Sequence, residues 1–127
     1  MTAIAVSKGV RMSPRKVGIV AALVRGRRLK DAITILDHTP RRSAKAIKDA
    51  IKSAGANAEH NHNFKPDTLY ISEILVTAGP RLKRWRPAAR GRALPFARKT
   101  SHIKVVVDGE KRVIKKAAKS PDKKEVA

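Results

Sequence analysis

Cysteine is absent from the chain, which excludes disulfides, zinc fingers and thiol chemistry and is compatible with a reducing compartment. Acids are scarce: 10 Asp and Glu stand against 30 Lys and Arg, for a formal net charge of +20 at pH 7. Aromatic residues make up only 3% of the sequence. The best apolar run, residues 17–24, is interrupted by Gly18 and falls far short of the roughly 20 residues a bilayer span needs. A soluble, cytoplasmic protein with no spanning segment is therefore expected. The charge is too large to serve solubility alone. A compact body repels itself at such a charge, so a polyanion is expected to supply the counter-charge, nucleic acid first and an anionic membrane surface second. A length of 127 residues is one domain's worth of chain.

Periodicity predicts an α+β body. Ile4, Val6 and Val10 alternate with small or polar residues, which reads as a strand over residues 2–10 burying that side. Ser13-Pro14 opens a helix by serine capping and proline at the first position; Val17, Val20, Ala21 and Val24 form its buried stripe and Gly26 ends it. A short helix over residues 29–37 follows, with Leu29, Ile33 and Leu36 on one side. Thr39-Pro40 repeats the cap and starts the longest helix, residues 40–60. It carries Ala44, Ile47, Ile51, Ala54 and Ala58 on one face and Arg41, Lys45, Lys48 and Lys52 on another. Small residues around Gly55 would let a neighbour approach closely, and residues 60–63 read as a frayed end. Residues 68–78 form a β-rich run whose alternation changes phase at Ser72-Glu73, the mark of a bulge. Residues 102–108 form a third strand that buries Ile103, Val105 and Val107.

Residues 79–100 separate those last two strands, far more than the 2 to 5 residues or so of an ordinary hairpin loop. Eight of their side chains are cationic, Arg81, Lys83, Arg84, Arg86, Arg90, Arg92, Arg98 and Lys99, and no acid occurs between Glu73 and Asp108. Ordering such a segment costs on the order of 1 to 2 kcal/mol per residue, which its few apolar groups cannot supply, so a partner is expected to do so. Two extended arms of about ten residues would project as a finger roughly 33 Å long. Arginine outnumbers lysine six to two, which favours bidentate phosphate contacts and stacking on bases. Trp85 and Phe96 can stack on exposed bases, and Gly91 permits a tight turn. Together these features point to structured RNA.

Other chemistry finds no foothold. His60 and His62 are two residues apart, off a common helical face and without a carboxylate or thiol cluster, so no metal site is expected. Ser101-His102 has no third member of a catalytic triad, and no phosphate-binding loop, dinucleotide fingerprint or zincin motif is present. Neither an enzyme nor a cofactor is expected.

The sequence resembles the bacterial large-subunit ribosomal protein family numbered twenty-two over residues 4–108. The carrying segments are Arg11-Met12-Ser13-Pro14-Arg15-Lys16-Val17, residues 54–61, Gly79-Pro80, Lys83-Arg84, Arg90-Gly91-Arg92-Ala93 and Arg98-Lys99-Thr100-Ser101-His102-Ile103. The resemblance implies a small body on the outside of the large subunit and a long β-hairpin driven into its rRNA. A tip made of Ala88, Ala89, Arg90, Gly91 and Arg92 would line the nascent-peptide exit tunnel, near a macrolide site. Expected rRNA-binding residues are Arg11, Arg15 and Lys16 at the first helix, Arg41, Lys45 and Lys48 on the long helix, Arg81, Lys83, Arg84, Trp85 and Arg86 on the outgoing arm, and Arg98, Lys99, Thr100, Ser101 and His102 on the returning one. Partners implied are rRNA, neighbouring large-subunit ribosomal proteins and the nascent polypeptide, with no membrane and no self-association. Two departures from the family pattern stand out: position 88 is alanine where a basic residue is common, and the chain runs on past the last strand where many relatives stop.

The expected architecture is thus a three-stranded antiparallel sheet with three helices packed on it, formed by residues 1–78 and 101–109. A basic hairpin over residues 79–100 and a basic, flexible tail over residues 110–127 complete it. For the long helix's basic face, a merely solvated surface remains the competing reading. For the whole chain, the alternative is a nucleoid-type DNA-binding protein, which should bind ordinary duplex well.

Overall fold

A computed structural model describes residues 2–113. The chain runs β1 (Ala3–Val10), α1 (Pro14–Val24), α2 (Leu29–His38), α3 (Arg42–His62), β2 (Tyr70–Ala78), β3 (Leu82–Pro87), a single 3-10 turn (Ala89–Gly91), β4 (Ala93–Arg98) and β5 (Ser101–Asp108). Strands β1, β5 and β2 form an antiparallel sheet in that order, and β3 and β4 pair separately as a hairpin. The α+β class and the three-plus-two strand division agree with the sequence reading.

The three helices share one side of the larger sheet. Ile71, Ile74, Ile103, Val105 and Val107 point inward from β2 and β5 and meet Val17, Val20 and Val24 of α1 and Ile47, Ile51, Ala54 and Ala58 of α3. Helix α3 lies over β1 and β5, α1 lies over β2, and α2 packs against α3. Each fully buried Val or Ile stabilises this layer by about 1.5–3 kcal/mol, which makes the body self-supporting. Both edges of the sheet take hydrogen bonds from neighbouring segments at particular positions. Along β2, the Gly26 amide donates to the Ile71 carbonyl at 3.1 Å, the Ile71 amide to Arg27 at 2.9 Å, and the Arg25 guanidinium to the Ile74 carbonyl at 3.1 Å. Along β1, the Asn57 amide donates to the Ile4 carbonyl at 3.0 Å. Edge groups engaged in this way are closed to a foreign strand at those positions.

Several local expectations are corrected. In β1 the inward side is Ala3 and Ala5, while Ile4 and Val6 are about half exposed. Register explains the inversion: Ala3 pairs with Val107 and Ala5 with Val105, and paired residues share a face. Thr39 does not start α3. Its hydroxyl donates to the Ile35 carbonyl at 2.7 Å and its amide to Leu36 at 3.3 Å, so it closes α2 instead. Ser13 precedes α1 with extended backbone but without a side-chain cap; its carbonyl accepts from the amides of Lys16 and Val17. Helix α3 begins two residues later than expected and runs on through His62, where Asn63 in the left-handed region at φ 53° ends it cleanly. The close approach at Gly55 comes from the Leu29 side chain, whose Cδ1 lies 3.1 Å from where a Cβ would stand. The bulge lies where expected, with the β2–β5 register shifting between Ile71 and Glu73.

At the start of the expected tail, the chain runs beside the end of α3. The Lys65 amide donates to the Glu110 carbonyl at 2.8 Å, the Arg112 amide to Asn63 at 2.8 Å, and the Arg112 guanidinium pairs with Glu59 at 3.3 Å. The remainder of the expected tail, residues 114–127, lies outside the described residues.

Candidate nucleic-acid interface

The hairpin is rooted where β2 ends and β5 begins. Here the Gly79 amide donates to the Thr100 carbonyl at 2.8 Å, and the Thr100 hydroxyl donates to the Pro80 carbonyl at 2.6 Å. Only glycine fits at position 79, because a Cβ there would stand 2.5 Å from the Thr100 hydroxyl. Of the expected contact residues, Thr100 and Ser101 are buried here; Thr100 is bonded into the root, and the Ser101 hydroxyl makes no hydrogen bond among the described residues. His102 is half-buried, and its Nδ1 accepts the Gly9 amide at 3.0 Å. That bond puts the ring hydrogen on Nε2.

Beyond the root, six residue pairs form the ladder, from Leu82 opposite Arg98 to Pro87 opposite Ala93. At about 3.3 Å per residue this gives about 20 Å of paired arm. The tip is closed by the Ala88 amide donating to the Arg92 carbonyl at 2.9 Å. Arg90 and Gly91 turn the chain with φ of 59° and 67°. Gly91 adopts this backbone freely, whereas Arg90 holds the left-handed region as a non-glycine residue. Ala88 is half-buried and Ala89, Arg90, Gly91 and Arg92 are exposed, so the five expected tip residues are together at the far end.

Electrostatically the hairpin differs from everything around it. The expected contacts Arg81, Lys83, Arg84, Trp85, Arg86, Arg98 and Lys99 are all exposed. Among the described residues, none of the hairpin's cations forms a salt bridge, whereas body acids do: Asp67 with Lys30, Asp37 with Lys48, Glu110 with Lys65 and Glu59 with Arg112. Strands β3 and β4 pack on each other and hardly on the body. Unpaired cations on an isolated ladder make a strong, outward-directed positive field.

The expected body contacts divide. Arg11, Arg15 and Lys16 are exposed at the start of α1. Arg11 shares a surface cleft with Met12, Arg42, Lys45 and Asp49, which joins the segment before α1 to the first turns of α3. Arg42 is a basic member of this cluster that the sequence reading passed over; its spacing of three residues from Lys45 was the available signal. The other basic face is mixed. Lys48 hydrogen-bonds to Asp37, and that bond holds the Asp37 carboxyl below its ordinary value. Arg41, Lys45, Lys48 and Lys52 line a second cleft together with Asp37 and Asp49. Arg41 and Lys45 remain available to a polyanion, and Lys48 is partly neutralised. Among the described residues, no group of three or more His, Cys, Asp or Glu is placed to hold a metal ion, and no helix is long and apolar enough to cross a membrane.

A compact α+β body carrying an acid-free, arginine-rich hairpin defines a class of protein whose charge suits a polyanionic partner. Comparison with known proteins is specific about the class. The family model described as Ribosomal protein L22p/L17e matches residues 5–108, and the chain belongs to that family. The chain is 50% identical over 107 residues to a large ribosomal subunit protein uL22 of Clostridium tetani, covering 84% of this chain and 96% of that one. It is 50% identical over 111 residues to the uL22 protein of Oceanobacillus iheyensis, covering 87% and 98%. To that of Desulforamulus reducens it is 47% identical over 111 residues, covering 87% and 98%.

Proposed function

We propose that the chain is a structural constituent of the large ribosomal subunit, working in the cytoplasm, that binds large-subunit rRNA chiefly through its hairpin. Family membership carries the first part; the observation that carries the second is the hairpin's exposed, unpaired set of cations. The body over residues 1–78 and 101–109 acts as the anchor, and the hairpin over residues 79–100 acts as the penetrating element. Arg81, Lys83, Arg84, Arg86, Arg98 and Lys99 neutralise phosphates, Arg11, Arg15, Lys16, Arg41 and Lys45 extend the contact over the body, and His102 offers Nε2–H at the root. Recognition is by charge and shape with little reading of base sequence.

In this reading the hairpin holds rRNA segments together during assembly, and Ala88 to Arg92 face the nascent chain in the exit tunnel. Ala88 removes one phosphate contact that a basic residue would make there. The protein contributes no catalysis, cofactor or self-association. The duplex-DNA alternative has no support beyond net charge. Crosslinking with mass spectrometry on cells expressing the tagged chain tests the proposal. Crosslinks from Lys83 through Arg92 to large-subunit rRNA are expected, and recovery mainly on chromosomal DNA would overturn it.

A further inference from the structure

We propose that Trp85 is a stacking site for a single unpaired nucleobase, set on the face of the hairpin opposite its arginine cluster. The inference rests on RNA being the hairpin's partner and adds which side of the hairpin takes a base and which takes phosphate.

Cross-strand partners share a face, and successive residues alternate. The register therefore sorts the hairpin in two. Leu82, Arg84, Arg86, Leu94, Phe96 and Arg98 lie on one face. Lys83, Trp85, Pro87, Ala93, Pro95 and Ala97 lie on the other. The two aromatic residues thereby project from opposite faces, although both border one cleft along the arm, and their ring contacts differ.

Phe96 is already engaged. The guanidinium carbons of Arg86 and Arg98 lie 5.5 and 5.7 Å from its ring centroid, and the ring is half-buried. By register Arg86 lies two pairs toward the tip and Arg98 two pairs toward the root, the nearest pairs on the same face, so the ring spaces two guanidiniums along the arm. Cation–π contact of this kind organises arginines and leaves little of the ring for a base. On this face the ligand is phosphate.

Trp85 is in the opposite condition. It is 66% exposed and makes no ring or cation contact among the described residues. Its cross-strand partner is Pro95, and its diagonal neighbours Ala93 and Ala97 are too short to cover the indole from the opposite strand. Trp85, Pro95, Phe96 and Ala97, with Lys83 and Arg84, border a shallow, mainly apolar cleft. A flat apolar group fits between such walls. Because every charged side chain of the hairpin is cationic, the flat group must belong to an anionic polymer, which is the chemistry of a nucleotide.

Trp85 is the only tryptophan in the chain, so intrinsic fluorescence of the full-length protein reports on this position alone. Titration with single-stranded oligoadenylate is expected to quench it, while inorganic polyphosphate of matched charge should bind with little quenching. Trp85→Ala should bind oligoadenylate roughly 5- to 150-fold more weakly, with Trp85→Phe recovering most of the loss. The double variant Trp85→Ala, Phe96→Trp moves the reporter to the arginine face and should quench far less. Equal quenching by polyphosphate, wild-type affinity in Trp85→Ala, or equal quenching from position 96 would each overturn the assignment. The underlying reading is separated by Arg86→Ala, Arg98→Ala binding to large-subunit rRNA. If that affinity is unchanged, the hairpin is not the rRNA element; if it falls while Trp85→Ala is neutral, only the stacking site is lost.

Discussion

The body and the hairpin are built on opposite principles from one continuous chain. In the body, buried Val and Ile from sheet and helices meet, and acids such as Asp37, Glu59 and Asp67 pair with nearby cations. The hairpin has no buried hydrophobic residue, no acid and no salt bridge among the described residues. A lone two-stranded hairpin is at best marginally stable in water, and here like charges oppose it further. One part folds for itself. The other is shaped for an anionic environment that replaces the missing core and counter-charge.

The largest expected effect tests that division directly. Ile51→Ala, in the body's core, should cost about 2–5 kcal/mol of unfolding free energy. Leu94→Ala, on the exposed ladder, should stay within about 0.5 kcal/mol. Chemical denaturation followed by circular dichroism measures both, and comparable losses would erase the distinction between the two regions.

Next comes binding. The triple change Arg84→Ala, Arg86→Ala, Arg98→Ala should leave the body's melting unchanged and weaken rRNA binding. If each arginine neutralises one phosphate, the slope of log affinity against log salt should become shallower by about 2 to 3. Filter binding across a salt series checks it.

A smaller change is expected at the junction. In Gly79→Ala the new Cβ would stand 2.5 Å from the Thr100 hydroxyl and disturb its bond to Pro80. A loss of about 1–3 kcal/mol in stability, typical of overpacking, is expected together with weaker rRNA binding, because the root directs the arm. Parallel melting and binding measurements would show whether the two losses travel together.

The smallest effect belongs to the exposed Asp37–Lys48 pair. Since the folded state depresses the Asp37 pKa, the pair's contribution is present above the ordinary carboxylate value of 3.8 and is lost as pH falls through the lower folded value. Asp37→Asn should therefore be marginally less stable than the parent at pH 7, with the difference closing in strong acid. Melting temperatures at pH 7 and below 3.8 compare the two proteins.

What the sequence made legible follows the same division. Strand β5 was plain because its Ile103, Val105 and Val107 alternate without competition, and the β2 bulge was plain because a phase change has few other causes. The inward side of β1 was not legible from β1 itself. Its larger residues suggested one side, but pairing with β5 put Ala3 and Ala5 inward, where α3 brings its own small residues Ala54 and Ala58 into the core. Thr39 could close one helix or open the next, and only the geometry of Ile35 decided it.

At the interface, composition alone marked the hairpin, because an acid-free stretch with eight cations is rare in a folded body. It did not separate Trp85 from Phe96, since the face each ring takes depends on the β3–β4 register. Nor did it show that Thr100 and Ser101, polar residues in a basic stretch, are buried at the root. Lys48 looked equivalent to Arg41 and Lys45 along the helix, and a carboxylate from α2 made it different.

Amide hydrogen exchange on the full-length protein, free and bound to large-subunit rRNA, tests the central claim most directly. The account predicts that amides of β5 and α3 are protected in both states, while those of β3 and β4 exchange rapidly in the free protein and become protected only with rRNA. Strong protection of the β3–β4 ladder in the free protein would contradict it, because the hairpin would then hold its fold without the partner it is said to need.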